Sequence, residues 1–90
     1  MVYKTDEQKE NFKALLDETH SWPDYYRFKF IVPIDKREEL MEIIKGHDIE
    51  EKESSKGNYV SVTVRVLVHS SDHIIEIYES VTIIKGIISL

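Results

Sequence analysis

Ser54-Ser55-Lys56-Gly57-Asn58-Tyr59, running into Val60-Ser61-Val62-Thr63-Val64-Arg65-Val66-Leu67-Val68, decides the fold of this chain. A turn built from Ser, Gly and Asn feeds a segment with valine at every second position. Strand side chains alternate between faces, so Val60, Val62, Val64, Val66 and Val68 share one side. Tyr59, Ser61, Thr63, Arg65 and Leu67 share the other. One face suits a core, and the other suits water or a partner. Architecture follows from this stretch, but no chemistry does.

Working outward, Tyr25 to Val32 has the same alternation. Tyr26, Phe28, Phe30 and Val32 lie on one side, with Tyr25, Arg27, Lys29 and Ile31 on the other. Pro33 ends that strand because proline has no N–H for a ladder. Asp35 followed by Glu38 reads as a helix N-terminus, and Leu40, Ile43 and Ile44 form an apolar stripe, so a helix is expected near 36–45 with Gly46 as its stop. Ile49 to Ser54 reads as a charged edge strand. After the valine strand, Ser70 or Ser71 caps a second helix whose Ile74, Ile77, Tyr78 and Val81 fall at helical spacing. Lys85 to Leu90 reads as a last strand.

Ahead of all this, Thr5 with Gln8 resembles a capping box, and Phe12, Leu15 and Leu16 mark a short helix over 5–18. His20-Ser21-Trp22-Pro23-Asp24 breaks it. The expected division is therefore a helical extension over 1–21 and a folded domain over 22–90. The order β-α-β-β-α-β folds most readily into a ferredoxin-like α+β two-layer sandwich. That architecture has a four-stranded antiparallel sheet with two helices on one face.

Composition narrows the functions. Ninety residues form one domain, able to bury roughly 60–65% of the unfolded chain's surface. The absence of cysteine excludes disulfides, thiolate zinc sites and a cysteine nucleophile. Met1 to Glu7 is charged rather than apolar, and no apolar run nears the roughly 18 residues of a membrane span. A cytoplasmic protein without membrane contact is expected. The net charge of −5 is spread as −2 over residues 1–45 and −3 over 46–90. Without a basic block, nucleic acid is disfavoured as a partner.

The face opposite the valines carries Tyr25, Arg27, Ser61, Thr63 and Arg65 and is the expected interaction surface. Two such sheets meeting in a homo-oligomer is the preferred reading, with tyrosines and aliphatics central and charges at the rim. RNA binding through the same face is the alternative. Lys56-Gly57 begins like an RNA-stacking motif, yet Asn58 and Val60 stand where aromatics are required.

Catalytic readings find little. His69 and His73 straddle a helix start with no carboxylates to complete a metal site, and His20 and His47 are lone loop histidines. Ser54, Ser55, Ser70 and Ser71 lack a paired base. Neither catalytic residues, nor a metal, nor a cofactor is expected. The amides of the Ser54–Asn58 turn beside Lys56 would suit an anion. The plainer reading is a hairpin loop with Gly57 or Asn58 at positive φ.

Ser54-Ser55-Lys56-Gly57-Asn58-Tyr59, then Ser61-Val62-Thr63 and Tyr78-Glu79, resemble the signature of the YbeD-like family of small bacterial proteins of unknown function. Trp22-Pro23-Asp24-Tyr25-Tyr26-Arg27-Phe28-Lys29 is similar to that family's opening. The resemblance covers about residues 22–90 and implies a ferredoxin-like fold close to amino-acid-binding ACT regulatory domains. It also implies a regulatory role, with a lipoate-metabolism link proposed for some members. Glu53 departs from the family's frequent proline, and Lys85-Gly86-Ile87-Ile88-Ser89-Leu90 departs from its usual ending. Pro33-Ile34 lacks the glycine that ACT domains place after the first strand. The expected function is a non-catalytic, ACT-like regulatory module binding a protein or small molecule. Lys29, Ser54, Ser55, Lys56, Gly57, Asn58 and Tyr59 are its expected ligand or partner site.

Overall fold

Residues 3–90 are described by a computed structural model. The elements are α1 (Asp6–Thr19), β1 (Asp24–Pro33), a 3-10 turn (Ile34–Lys36), α2 (Arg37–Ile44), β2 (Asp48–Glu53), β3 (Tyr59–Val68), α3 (Ser71–Val81) and β4 (Ile88–Ser89). The strands form one antiparallel sheet in the order β2-β3-β1-β4. β1 and β3 are central, as the two richest apolar faces require.

Their register sets the core. Val62 pairs with Phe30, Val64 with Phe28 and Val66 with Tyr26. Aromatic and β-branched side chains directly opposite each other contribute about 0.2–1 kcal/mol per pair. All five valines are buried, and on their side lie Leu40 and Ile44 of α2 and Ile74, Tyr78 and Val81 of α3. The helices therefore cover one face of the sheet and leave the other bare.

Tyr78 is the centre of this packing. Its ring meets Phe28 edge-on at 5.1 Å, Phe12 of α1 at 6.0 Å and Phe30 at 6.3 Å. Its hydroxyl, taken out of water, hydrogen-bonds the Tyr26 hydroxyl at 3.1 Å. Burial, reinforced by that bond, holds the Tyr78 phenol well above its ordinary pKa. α1 docks on α3 through Phe12 and two ion pairs, Lys9–Glu79 at 3.2 Å and Lys13–Asp72 at 2.9 Å. Half of the expected capping box forms: the Thr5 hydroxyl accepts from Gln8 N, while Gln8 Oε1 accepts from Lys4 N, one residue before the N-cap. Ser70 caps α3 by accepting from His73 N.

The structure departs from the sequence reading at two places. Asp35 does not cap α2, and the residue that flanks the helix, Lys36, makes no side-chain cap bond. The chain leaves Pro33 directly into the 3-10 turn, so Asp35 lies inside a helical turn instead of at its extended flank. The last strand is Ile88–Ser89 only, not 85–90. Ile84 N bonds Val81 O, Ile87 N bonds Ile84 O, and Gly86 takes φ +82°, so those residues turn the chain. A Cβ at Gly86 would also meet Pro33 Cγ at 3.0 Å. Leu90 N then reaches Lys29 O at 2.9 Å, leaving the first half of β1 without a paired strand on that side among the described residues.

No helix among the described residues is long and apolar enough to cross a membrane.

Candidate functional site

The uncovered sheet face gathers the side chains that the alternating pattern set aside. Because directly opposed residues share a face, the register orders them in rows across the strands. Leu67 and Tyr25 form the first row. Asp48, Arg65 and Arg27 form the second, and Glu50, Thr63 and Lys29 the third. Lys52, Ser61, Ile31 and Ile88 form the fourth, with Tyr59 beside Pro33 at the end.

Two features distinguish this surface from an ordinary solvated face. It carries four cations and two anions in a chain whose net charge is −5. Among the described residues, none of Arg27, Lys29, Lys52, Arg65, Asp48 or Glu50 makes an intramolecular ion pair within 4 Å. Apolar side chains also stay in water: Tyr25 is 54% exposed, Tyr59 47% and Leu67 40%. Arg65 lies with its guanidinium carbon 4.0 Å from the centre of the Tyr25 ring, a cation–π contact between neighbouring strands.

Lys29 lines a shallow groove of about 580 Å³ with Glu50, Glu51, Lys52, Ser61 and Thr63. A second hollow of about 400 Å³ is lined by Ile31, Lys52, Glu53, Ser54, Ser55, Tyr59 and Ser61. Lys29 and the start of the Ser54–Tyr59 loop thus meet at Lys52 and Ser61, while Lys56, Gly57 and Asn58 line neither hollow. A third, smaller depression joins Arg27, Arg65, Asp48, Glu50 and Thr63. Cations, hydroxyls and carboxylates therefore share one surface. Among the described residues, no side-chain hydrogen bond joins the Ser61 or Thr63 hydroxyl to Lys29.

The loop itself is a hairpin connection. Gly57 sits at φ +73°, its N–H donates to Ser54 O, and Tyr59 N–H donates to Ser54 Oγ. Within Ser54–Asn58 the Gly57 amide is thus spent inside the turn and the Ser54 amide on Tyr59 O. Asn58 has no positive φ.

The histidines divide. His73 Nδ1 accepts from His69 N at 3.3 Å, and their rings lie parallel with centroids 6.0 Å apart. No group of three potential metal ligands converges among the described residues. His20 is the residue whose role the sequence did not reveal. Its ring stacks on Trp22 at 5.2 Å, and its Nδ1–H donates to Asp24 Oδ2 at 2.8 Å. Trp22 Nε1 donates in turn to Asp17 Oδ1 at 3.1 Å. The His20 bond, then the Tyr25 N–H, holds the Asp24 carboxyl below its ordinary pKa. This cluster ties the end of α1 to the start of β1. Its only sequence signal was the four-residue spacing of His20 and Asp24, which outside a helix carries no geometric meaning. On the helix side of the sheet, Arg37 forks the Glu51 carboxylate and holds its pKa down in the same way.

Comparison with known proteins adds family membership without an activity. Over 36 residues the chain is 56% identical to a UPF0250 protein of Shewanella amazonensis, covering 40% of this chain and 41% of that relative. A UPF0250 protein of Shewanella oneidensis is 53% identical over the same length, again covering 40% of this chain and 41% of that one. No solved structure matches the chain. The family model described as a protein of unknown function, DUF493, matches residues 17–90, and the chain belongs to that family, the YbeD-like bacterial proteins of unknown function.

Proposed function

We propose that this chain is a non-catalytic regulatory module of ferredoxin-like, ACT-like type, which works in the cytoplasm by self-association through its open sheet face. The observation that carries the reading is the pairing of exposed Tyr25, Leu67 and Tyr59 with ion-pairable charges that find no ion-pair partner among the described residues. Aromatic anchors among polar groups are the composition of recognition surfaces. The element order β-α-β-β-α-β within the sheet order β2-β3-β1-β4 supports the ferredoxin-like assignment.

RNA fits this face less well. Tyr25 sits beside Leu67, eight residues along β3 from Tyr59, so the two exposed tyrosines lie about 27 Å apart at roughly 3.4 Å per residue. Adjacent bases cannot stack across that span, and Asp48 and Glu50 repel phosphates.

Sedimentation velocity from micromolar to millimolar concentration tests the reading. A concentration-dependent shift to a larger species supports it, and a single monomeric species throughout overturns it. The groove between Lys29 and Lys52 favours a second reading, a small carboxylate or zwitterion bound against Ser61 and Thr63. A thermal-shift screen with amino acids, lipoate and octanoate checks that reading, since ligand at 100 times its Kd adds about 2.7 kcal/mol.

A further inference from the structure

We propose that two copies pair face to face about a two-fold axis running along β3, so that Asp48 and Glu50 of each copy meet Arg27 and Lys29 of the other. The inference rests on self-association through the open face and supplies its geometry. β1 and β2 flank β3 on opposite sides. A two-fold axis along β3, midway between the two sheets, exchanges those sides and leaves each residue in its own row. Asp48 shares a row with Arg27, and Glu50 shares the next with Lys29. The rotation therefore sets each acid of one copy over a base of the other, making four ion pairs from two unpaired strips. Face-packed sheets stand about 10 Å apart, a gap that an extended arginine and an aspartate together span.

The residues on the axis fit the same operation. Thr63 and Ser61 face their own copies, and hydroxyls both donate and accept. Arg65 also lies on β3, where two guanidinium groups would meet. Its contact with Tyr25 instead draws it towards β1, so the two copies' guanidiniums lean off the axis in opposite directions. Each is thereby carried towards the partner's Asp48. Lys52 falls over the partner's Ile31, along which its stem packs while its ammonium reaches the rim.

Charge selects this axis over the alternative. A two-fold axis across the strands through the Glu50–Thr63–Lys29 row places Glu50 over Glu50 and Lys29 over Lys29. Like charges so opposed disfavour association.

A charge-swap experiment on the intact chain tests the geometry. One variant carries Arg27→Glu with Lys29→Glu, and the other Asp48→Lys with Glu50→Lys. Alone, each variant sets like over like, and its dimer dissociation constant rises about 100-fold or more. Mixed, every pair is opposite again, and a heterodimer forms with affinity within about tenfold of the wild type. Variants that still dimerise as the wild type does, or a mixture that stays monomeric, overturn the geometry while leaving self-association standing. Dimers of that kind would point to the uncovered edge of β1 instead. A wild type that is monomeric at every concentration overturns self-association itself and this inference with it. Circular dichroism checks that the variants fold, and the single pair Arg27→Glu with Asp48→Lys carries the same test should a double variant not fold.

Discussion

Arg27 stands directly opposite Arg65 across the central strand pair. Like charges facing each other on antiparallel strands are destabilising, and within the chain the pair is offset by Asp48, directly opposite Arg65 on β2, and by the lean of Arg65 onto Tyr25. A folded monomer does not gain from a second arginine in a row that holds one aspartate. A surface that receives a partner's carboxylates does.

Arg27→Thr separates those two roles. At concentrations where the chain is monomeric, the variant is expected to be more stable by about 0.5 kcal/mol, or roughly 2–4 °C in Tm. Self-association is expected to weaken at the same time. Thermal melts at low concentration and sedimentation at high concentration check the opposite signs.

The hydroxyl pair Tyr26–Tyr78 joins residues 52 apart in sequence at 3.1 Å. Tyr78→Phe keeps the ring that packs on Phe28 and removes the buried hydroxyl's bond, with an expected loss of about 1 kcal/mol. Adding Tyr26→Phe is expected to cost little more, because the bond is already gone. Urea denaturation of the two single variants and the double variant measures the coupling.

Gly57 and Gly86 both require left-handed backbone, at φ +73° and +82°. Only Gly86 also has a neighbour, Pro33 Cγ, 3.0 Å from the position of a Cβ. Gly57→Ala is expected to cost about 1 kcal/mol and Gly86→Ala distinctly more. The second substitution is also expected to release β4, read as faster amide exchange at Leu90, whose N–H bonds Lys29 O.

Acid destabilisation is expected to follow Asp24 and Glu51. Both carboxyls are held below their ordinary pKa, Asp24 first by His20 and Glu51 first by Arg37. A carboxyl with a depressed folded pKa stabilises the fold above its unfolded pKa, about 4. That contribution is lost as pH falls below 4 through the folded value. Asp24→Asn is expected to flatten the decline of the urea midpoint over that window. An unchanged slope would remove the His20–Asp24 bond from the account.

Much of the architecture was legible because its signals are local. The period-two valines of Tyr59–Val68 place a strand and sort its faces without reference to any other part of the chain. Thr5 and Ser70 sit at helix starts for equally local reasons, each hydroxyl accepting an N–H three residues on. Asp35 misled because an N-cap needs extended backbone, and Pro33 turns the chain into a 3-10 turn first. The length of β4 was illegible because Gly86 suits a turn while its flanking isoleucines suit a strand.

The candidate surface divides along the same line. Alternation by itself put Tyr25, Arg27 and Lys29 on one side of a strand, and Ser61, Thr63 and Arg65 on one side of another. The resemblance pointed to the Ser54–Tyr59 loop, whose Ser54, Ser55 and Tyr59 line a hollow separate from the groove holding Lys29, the two sharing only Lys52 and Ser61. Only the tertiary structure decided which of these residues stand in one row, that Asp48 and Glu50 flank them, and that Arg65 leans on Tyr25. The reason is physical. The period of a strand is set by bonds along the chain. Register between distant strands is set by the turn at Gly57, the two helical crossovers and the fit of the core.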